Sequence, residues 1–489
     1  MTSDSELRQG AWYSSRLGAG LAAAVVLAGL AVVLFVNLRV EPVGRSSEAR
    51  CIAVVEAMLG SGNWLVPRIG QVVRLQKPPL FYWAGAATAT LLGDTGPIAV
   101  RLPSALAAIA LVALVICWGR SLGGPGIGLA AGAALVAMLQ LTASGRRGDA
   151  EMLLALLCAA SLVVFEQLYA ERRRALLPLF GILAGLAFLT KATAVIFVVG
   201  LPILVFLALE GQLRRLRDPS VLGACALAIA IGLSWYVAIV ALVPGALESL
   251  WEALTRPLGA ASGRVVAAAH FRPIWWYFSM LPVRAAPASL LLPVVVWRLW
   301  TSGLYRAEPR LRFVALTFLV PFVAFSLLPQ KQGHYTLVML PGLALLCAEA
   351  VASLATRARV WLARALGAPL ALAGLVATCL LALFFVWIEG LPPIGVTAAV
   401  ALPGGLFTIA LAAALLGRPA GFACAWLPAF MLVLTVQRSV VEVRVSQLEA
   451  AGRIGGLSLD DKERLYRVAR EQPWFIDVFQ LARESGERD

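Results

Sequence analysis

Lysines and histidines are the residues of this sequence whose types and positions suggest chemistry. The chain has 489 residues, with 41 lysines and arginines together and only two histidines, His270 and His334. Its lysines are Lys77, Lys191, Lys331 and Lys462. The first three lysines and both histidines fall between long apolar runs. Cations beside a bilayer suit an anionic lipid head group, and a phosphate in particular.

Carboxylates accompany these cations at two places. The segment R-R-G-D-A-E at 146–151 combines Arg146 and Arg147 with Asp149 and Glu151, and Glu48 lies in the first polar segment. Ionisable groups at membrane level are costly, so together they indicate a functional site. Taken singly, each is equally well explained as a side chain that extends to the membrane interface.

The composition requires a membrane as the setting of this site. Hydrophobic residues make up 60% of the chain and charged residues 14%, whereas soluble proteins are roughly half apolar and about a quarter charged. A disordered chain, a fibrous chain and a water-soluble enzyme are therefore excluded. The net charge of +14 does not indicate nucleic acid as a partner, because the arginines lie in short loops between apolar runs.

A spanning helix needs about 20 apolar residues. Thirteen such spans are predicted, at about 17–37, 101–119, 125–143, 150–169, 175–190, 193–209, 220–243, 281–299, 311–328, 334–354, 365–388, 394–416 and 420–437. Basic loops remain cytoplasmic, which places the N-terminus inside and the lysines outside. The apolar stretch 176–209 is too long for one span and has basic residues at both ends. It is therefore predicted to be a hairpin with Lys191 at its outer tip.

Residues 1–437 are accordingly predicted to form one transmembrane unit with two large outer loops, 38–100 and 244–280. A polar tail, 438–489, follows on the outer side. The first loop predicts an interfacial helix near 48–59, where the apolar side chains have helical spacing. After it, K-P-P-L holds Lys77 on a stiff segment before Tyr82 and Trp83.

These residues resemble a known family. S-E-A-R at 47–50 and Q-K-P-P-L-F-Y-W at 76–83 are similar to the first periplasmic loop of the GT-C glycosyltransferases, especially the aminoarabinose transferases of lipid A and the protein mannosyltransferase-like enzymes. The family patterns are D-E-x-R-Y-A and E-K-P-P-L-x-Y-W. Further matches follow in order at 101–104, 146–155, 189–192, 270–277 and 326–341.

The resemblance implies a bacterial enzyme of the cytoplasmic membrane, with an all-α GT-C fold and its active site on the outer face. It would transfer a sugar from a polyprenyl-phosphate carrier to a lipid, glycan or protein acceptor, with membrane lipids around it. The implied phosphate ligands are Lys77, Arg146, Arg147, Lys191, Lys331 and His334. The implied base is Glu48, Asp149 or Glu151. Gln76, Tyr82, Trp83, His270 and Tyr335 would line the cavity.

Two positions depart from the family pattern. Ser47 replaces the first-loop aspartate and cannot act as a general base, while Glu48 points about 100° away on a helix. Gln76 replaces the glutamate before the lysine and is a poor ligand for a divalent metal. No cofactor is therefore predicted, and a divalent metal stays an alternative that Gln76 disfavours. A transporter or flippase of lipid-linked saccharides, and an inactive family member, remain as alternatives. Charges at helix ends on one side favour the transferase over the transporter.

Overall fold

The computed structural model describes residues 16–39, 43, 46–171, 173–255, 271–301, 308–389 and 394–436. The regular structure of the described part is helical apart from a short antiparallel hairpin, in which β1 (Arg68–Ile69) pairs with β2 (Val72–Val73), and one isolated bridge between Phe271 and Gln330. The predicted tail 438–489 and His270 lie outside the described residues, as does the centre of the second large loop.

The helices are numbered in chain order. They are α1 (Arg16–Phe35), α2 (Ser46–Ser61), α3 (Leu80–Leu92), α4 (Pro97–Gly123), α5 (Pro125–Ala137), α6 (Leu139–Gly145), α7 (Glu151–Glu171), α8 (Leu177–Val195), α9 (Leu201–Leu209), α10 (Pro219–Leu242), α11 (Ala246–Thr255), α12 (Trp276–Arg284), α13 (Leu292–Thr301), α14 (Pro309–Leu327), α15 (Leu340–Ser353), α16 (Thr356–Leu362), α17 (Ala368–Glu389), α18 (Ile394–Leu415) and α19 (Pro419–Val436). Short 3-10 or π-helical turns connect several of them.

The fold is the predicted all-α membrane architecture. Eight helical segments in the described part are long and apolar enough to cross a membrane, or up to ten if two bent pairs are included, with 174–209 counted as one segment. The number thirteen stays a prediction. The span predicted at 281–299 is not one straight helix, because α12 and the segment 288–301 meet at 116°. Pro287 lies in the bend, where it supplies no N–H to continue a helix.

The hairpin predicted for 176–209 is confirmed by the contacts on its two arms. The ring of Phe165 in α7 lies 6.4 Å from the ring of Phe180 and 6.2 Å from that of Phe206. One straight helix would separate Phe180 and Phe206 by about 39 Å. The chain reverses at Lys191, the one residue of α8 with non-helical dihedral angles.

The reversal defines two ends of the bundle. Lys191 contacts Glu151, the first residue of α7, whereas Glu210 accepts a hydrogen bond from Tyr169 near the last residue of α7. We refer to these as the Glu151 end and the Glu171 end. The predicted helix of the first loop is confirmed as α2. Its apolar face packs with α3 and α4 in a cluster that contains Ile52 and Val55.

A labelling experiment tests the reversal. We expect Arg173→Cys and Leu213→Cys, both at exposed positions, to react with an impermeant maleimide from the same side of the membrane. A single span between them would place the two thiols on opposite sides. The parent protein for this experiment carries alanine in place of the four exposed native cysteines, Cys117, Cys225, Cys379 and Cys424.

Candidate active site

Four side chains meet at the Glu151 end of the bundle. Lys191 Nζ lies 2.8 Å from Glu151 Oε1 and 4.3 Å from the centroid of the Tyr335 ring. His334 Nε2 lies 3.3 Å from the same carboxylate oxygen. These residues are far apart in the sequence, and the structure brings all four of them together around the Glu151 carboxylate.

Local backbone features present these side chains. Glu151 begins α7, where the helix dipole favours a negative charge. Lys191 has φ −164° and ψ 90°, so the helix is broken at the residue that carries the ammonium group. His334 and Tyr335 follow each other in the 3-10 turn Gly333–Met339, with ring centroids 4.8 Å apart. Each side chain is therefore held at a helix start, a helix break or a tight turn.

Asp149 is the carboxylate next to this group. Its Oδ1 accepts a hydrogen bond from the N–H of Glu151 at 3.2 Å, and it forms no ion pair with the described residues. Burial raises the pKa of the Asp149 carboxyl and the Glu151 carboxylate raises it further, while Lys77 and His334 act in the opposite direction. A buried carboxyl with a raised pKa is suited to accept a proton near neutral pH.

Lys77 is the first-loop cation that acts on Asp149, and two further cations, Arg50 and Arg74, lie near Lys77. The charges of Lys77, Arg74 and Arg50 all reach the thiol of Cys51. Burial and the neighbouring Arg74 lower the pKa of Arg50. The Nε atoms of both arginines are buried without a hydrogen-bond partner, and none of the three cations forms an ion pair in the described part of the chain. This arrangement is typical of an anion site.

Sequence reasoning missed Arg50 and Arg74 as members of this site. Arg50 belongs to the S-E-A-R segment, which drew attention to its carboxylate rather than to its guanidinium group. Arg74 lies three residues before Lys77 in a segment without acidic residues. That lack of a local counter-charge was the available signal.

Glu48, a predicted candidate for the base, is instead held in a buried ion pair. Arg101 of α4 donates to both carboxylate oxygens, from Nε at 2.7 Å and from Nη2 at 3.1 Å. The N–H of Gly148 donates to Oε1 at 2.9 Å. A side chain at 148 would have its Cβ 2.2 Å from Val100 Cγ2. Glu48 therefore fixes the loop that carries Asp149 and is poorly placed to take a proton from a substrate.

Two of the predicted phosphate ligands are also bonded elsewhere. Arg146 is buried, and its Nη1 donates to two carbonyls in the last turn of α1 at 2.7 and 2.9 Å. It thereby satisfies backbone acceptors that a helix end leaves open. Lys331 is buried and its Nζ donates to the carbonyls of Leu328 and Arg272, the latter at 3.0 Å. Arg147 is partly exposed in the loop that carries Asp149.

Of the predicted cavity-lining residues, some hold the first loop together and one lines a cavity. Tyr82 is buried in the cluster between α2 and α4, and Trp83 donates from Nε1 to the carbonyl of Trp64 at 2.7 Å. Both hold the first loop together. Gln76 is exposed. Tyr335 does line a cavity, of about 30 Å³, with Glu151 and Lys191. Its remaining lining is mostly apolar and comprises Leu154, Thr193, Ala194, Phe197, Phe325, Leu328 and Val338.

The amide side chain at position 76 does not fit a divalent metal site. An amide is a weaker ligand than the carboxylate of the family pattern. Within the described ranges, no three histidine, cysteine, aspartate or glutamate side chains come close enough to hold an ion.

Comparison with known proteins agrees with the fold. Residues 76–238 match the family described as dolichyl-phosphate-mannose-protein mannosyltransferase. The undecaprenyl phosphate-alpha-4-amino-4-deoxy-L-arabinose arabinosyl transferase of Yersinia enterocolitica is 27% identical, over 68% of this chain and 59% of its own length. A Proteus mirabilis protein of the same description is 26% identical, over 62% and 54%. The chain thus spans less than two thirds of the length of these relatives.

Solved structures give the same result for the fold. ArnT from Cupriavidus metallidurans, in the apo state, superimposes with a TM-score of 0.68 and 20% identity over 91% of this chain and 83% of that one. The same protein bound to undecaprenyl phosphate also gives a TM-score of 0.68. Fold and site therefore define a multi-pass membrane protein with the GT-C fold. In sequence, the chain is similar to the aminoarabinose transferases.

The ion pair of Glu48 has a measurable consequence. Glu48→Ala leaves the Arg101 guanidinium buried without its carboxylate, so we expect the free energy of unfolding to fall by roughly 3–5 kcal/mol. Glu48→Leu combined with Arg101→Leu removes both charges and should cost much less. Glu171→Ala, which breaks an exposed ion pair, is the control and should have little effect. Thermal unfolding in detergent measures the stability of all three variants. Equal stability of Glu48→Ala and the control would contradict a stabilising role for the ion pair between Glu48 and Arg101.

Proposed function

We propose that this protein transfers a sugar from a polyprenyl-phosphate carrier to an acceptor at the outer face of a bacterial cytoplasmic membrane. The observation that carries the proposal is the unpaired carboxylate Asp149 with Lys77 acting on its charge, together with Arg50 and Arg74 of the same outer loop, whose Nε atoms are buried without a hydrogen-bond partner. The similarity to two undecaprenyl phosphate-alpha-4-amino-4-deoxy-L-arabinose arabinosyl transferases supports it. So does the ArnT structure that contains undecaprenyl phosphate.

The cations account for the leaving group. In the donor, the anomeric carbon is bonded to an oxygen of the carrier phosphate, and that oxygen gains charge as the bond breaks. Lys77, Arg50 and Arg74 are positioned before the reaction, so they stabilise this charge without reorganisation. Lys191 is paired with Glu151, and it orients that carboxylate at the entrance to the apolar cavity. The cavity has room for about one water molecule, so donor binding requires its walls to separate.

Asp149 is the base in this proposal. Its carboxylate takes the proton of an acceptor hydroxyl, the acceptor oxygen forms a bond to the anomeric carbon, and the bond from that carbon to the phosphate oxygen breaks. The electron pair leaves with the carrier phosphate. Asp149 compensates for Ser47 at the aspartate position of the family pattern, and Glu48 holds the Asp149 loop through Gly148.

The orientation of the protein in the membrane is inferred from the distribution of its arginines. The Glu171 end carries the exposed arginines Arg173, Arg174, Arg214 and Arg217, and basic loops remain in the cytoplasm. Arg146, near the Glu151 end, contacts the last turn of α1. The first residue of α1 therefore lies at the cytoplasmic end. The site, at the other end, faces outward, where its acceptor would be a lipid, a glycan or a protein.

The proposal is tested by transfer assays with the purified full chain. It is incubated in detergent with radiolabelled polyprenyl-phosphate sugars and a membrane extract. We expect label to move from the carrier to a second molecule. A carrier that binds but is never turned over, with every sugar tested, would reject the transferase.

Lys77 should matter for catalysis through its charge. We expect Lys77→Gln to reduce kcat/KM about 100-fold or more, because one preorganised contact to the developing charge is lost. Lys77→Arg should recover part of the rate. Arg39→Gln serves as the control, since Arg39 is exposed and paired with Asp94. Unchanged activity of Lys77→Gln would remove Lys77 from the site.

Asp149 should set the acid limb of the pH profile. The base acts only when deprotonated, and a raised pKa means that activity is lost at a higher pH than an ordinary aspartate, at about 3.9, would give. We expect kcat/KM to fall as the pH is lowered through this raised pKa. Asp149→Asn should abolish transfer, and Glu248→Gln, an exposed carboxyl of α11, should not change the profile. Transfer by Asp149→Asn at the wild-type rate would exclude this base.

Transfer should also proceed without a divalent metal, because Gln76 lacks the carboxylate of the family pattern. We expect EDTA to leave the rate unchanged. Inhibition that zinc reverses would contradict this expectation.

A further inference from the structure

A second cavity lies at the Glu171 end of the bundle, far from the candidate active site. It has a volume of about 340 Å³ and is lined by Thr356, Arg357, Val360, Trp361 and Arg364. We call this cavity the arginine groove. Its volume is within the range of small-ligand sites, roughly 300–1,000 Å³. It follows the last residue of α15, a helix preceded by the turn that carries His334 at the opposite end.

The polar residues of the arginine groove share one helix face. Arg357, Trp361 and Arg364 are separated by four and then three residues, which is the spacing of neighbours on a helical surface. Trp361 is 69% exposed between the two arginines. Arg364 lies in the π-helical turn Ala363–Gly367, a feature that is frequent at functional sites. The groove thus combines two guanidinium groups with an exposed indole ring.

The turn between α18 and α19 closes one side of the groove. Arg364 Nε donates to the carbonyl of Leu415 at 3.0 Å. Gly417 has a φ of 69°, and a Cβ there would lie 2.5 Å from Val360. This close approach requires glycine, and the next residue is the exposed Arg418. A third arginine therefore lies at the rim.

Within the described ranges, these arginines have no acidic partner. The sequence has no acidic residue between Glu349 and Glu389, and Glu349 is paired with Arg298 at 3.1 Å. Among the described residues, Arg357, Arg364 and Arg418 form no ion pair. Other arginines at the same end are paired, for example Arg174 with Asp218 at 3.0 Å. This excess of positive charge among the described residues of the groove suits an anionic ligand.

We propose that the arginine groove binds the phosphate head group of an anionic phospholipid. Its position supplies the reason for choosing a lipid: α17, which follows directly, presents exposed apolar side chains such as Leu372, Val376 and Leu380, along which acyl chains pack. Tryptophan prefers the membrane interface, and basic pockets between membrane helices bind anionic head groups. The groove is separate from the proposed transferase site and does not depend on it.

Native mass spectrometry of the purified full chain tests this proposal. The protein is delipidated and offered equal amounts of phosphatidylglycerol and phosphatidylcholine. We expect it to retain phosphatidylglycerol in preference to phosphatidylcholine. Arg357→Gln combined with Arg364→Gln should weaken retention about 30-fold, the effect expected of two arginines at an anionic surface. The corresponding double lysine variant should recover part of it.

A matched control is available at the same end. Arg214→Gln combined with Arg217→Gln removes two exposed arginines that do not line the groove, and it should retain the lipid like the wild type. Thermal unfolding checks that each variant is folded. Equal retention of the two lipids, or equal loss in the control, would overturn the proposal. Displacement of phosphatidylglycerol by millimolar inorganic phosphate would indicate a site for free anions and would overturn the choice of a lipid.

Discussion

The buried ion pair between Glu48 and Arg101 is the interaction on which the candidate site depends. It joins a helix of the first loop to a membrane-spanning helix, and it also binds the backbone of the loop that carries Asp149. Two charges removed from water are stable only while both are present and fully hydrogen-bonded. The pair therefore holds α2, α4 and residues 146–150 in one arrangement, in which Lys77 of the first loop acts on the charge of Asp149.

A second ion pair organises the interior of the bundle. The ammonium of Lys191 and the carboxylate of Glu151 meet where one hairpin reverses and another helix begins. His334 and Tyr335 approach from a third segment. Three segments distant in sequence thus converge on one small region, next to a narrow cavity. The lining of this cavity combines the charged side chains of Glu151 and Lys191 with mostly apolar ones.

The use of lysine and arginine differs between the two ends of the bundle. Several arginines at the Glu171 end are paired with carboxylates, as in Arg174–Asp218 and Arg298–Glu349, and two others line the arginine groove. At the Glu151 end, lysine supplies the ammonium groups nearest the carboxylates. A compact ammonium is a point charge on a flexible stem, whereas a guanidinium has a fixed fork of donors. The two chemistries correspond to a site where charge changes and to sites where charge is held.

The sequence by itself determined the membrane class, most of the helices and the reversal at Lys191, because these depend on the length of apolar runs and on the charges at their ends. It also selected Lys77, Asp149, Glu151 and Lys191. Only the tertiary structure decided the roles of Glu48, Arg146 and Lys331, which bond to Arg101 or to backbone carbonyls. The role of a buried charged residue depends on which partners lie within hydrogen-bond distance. The local sequence does not show the partners that come from other segments.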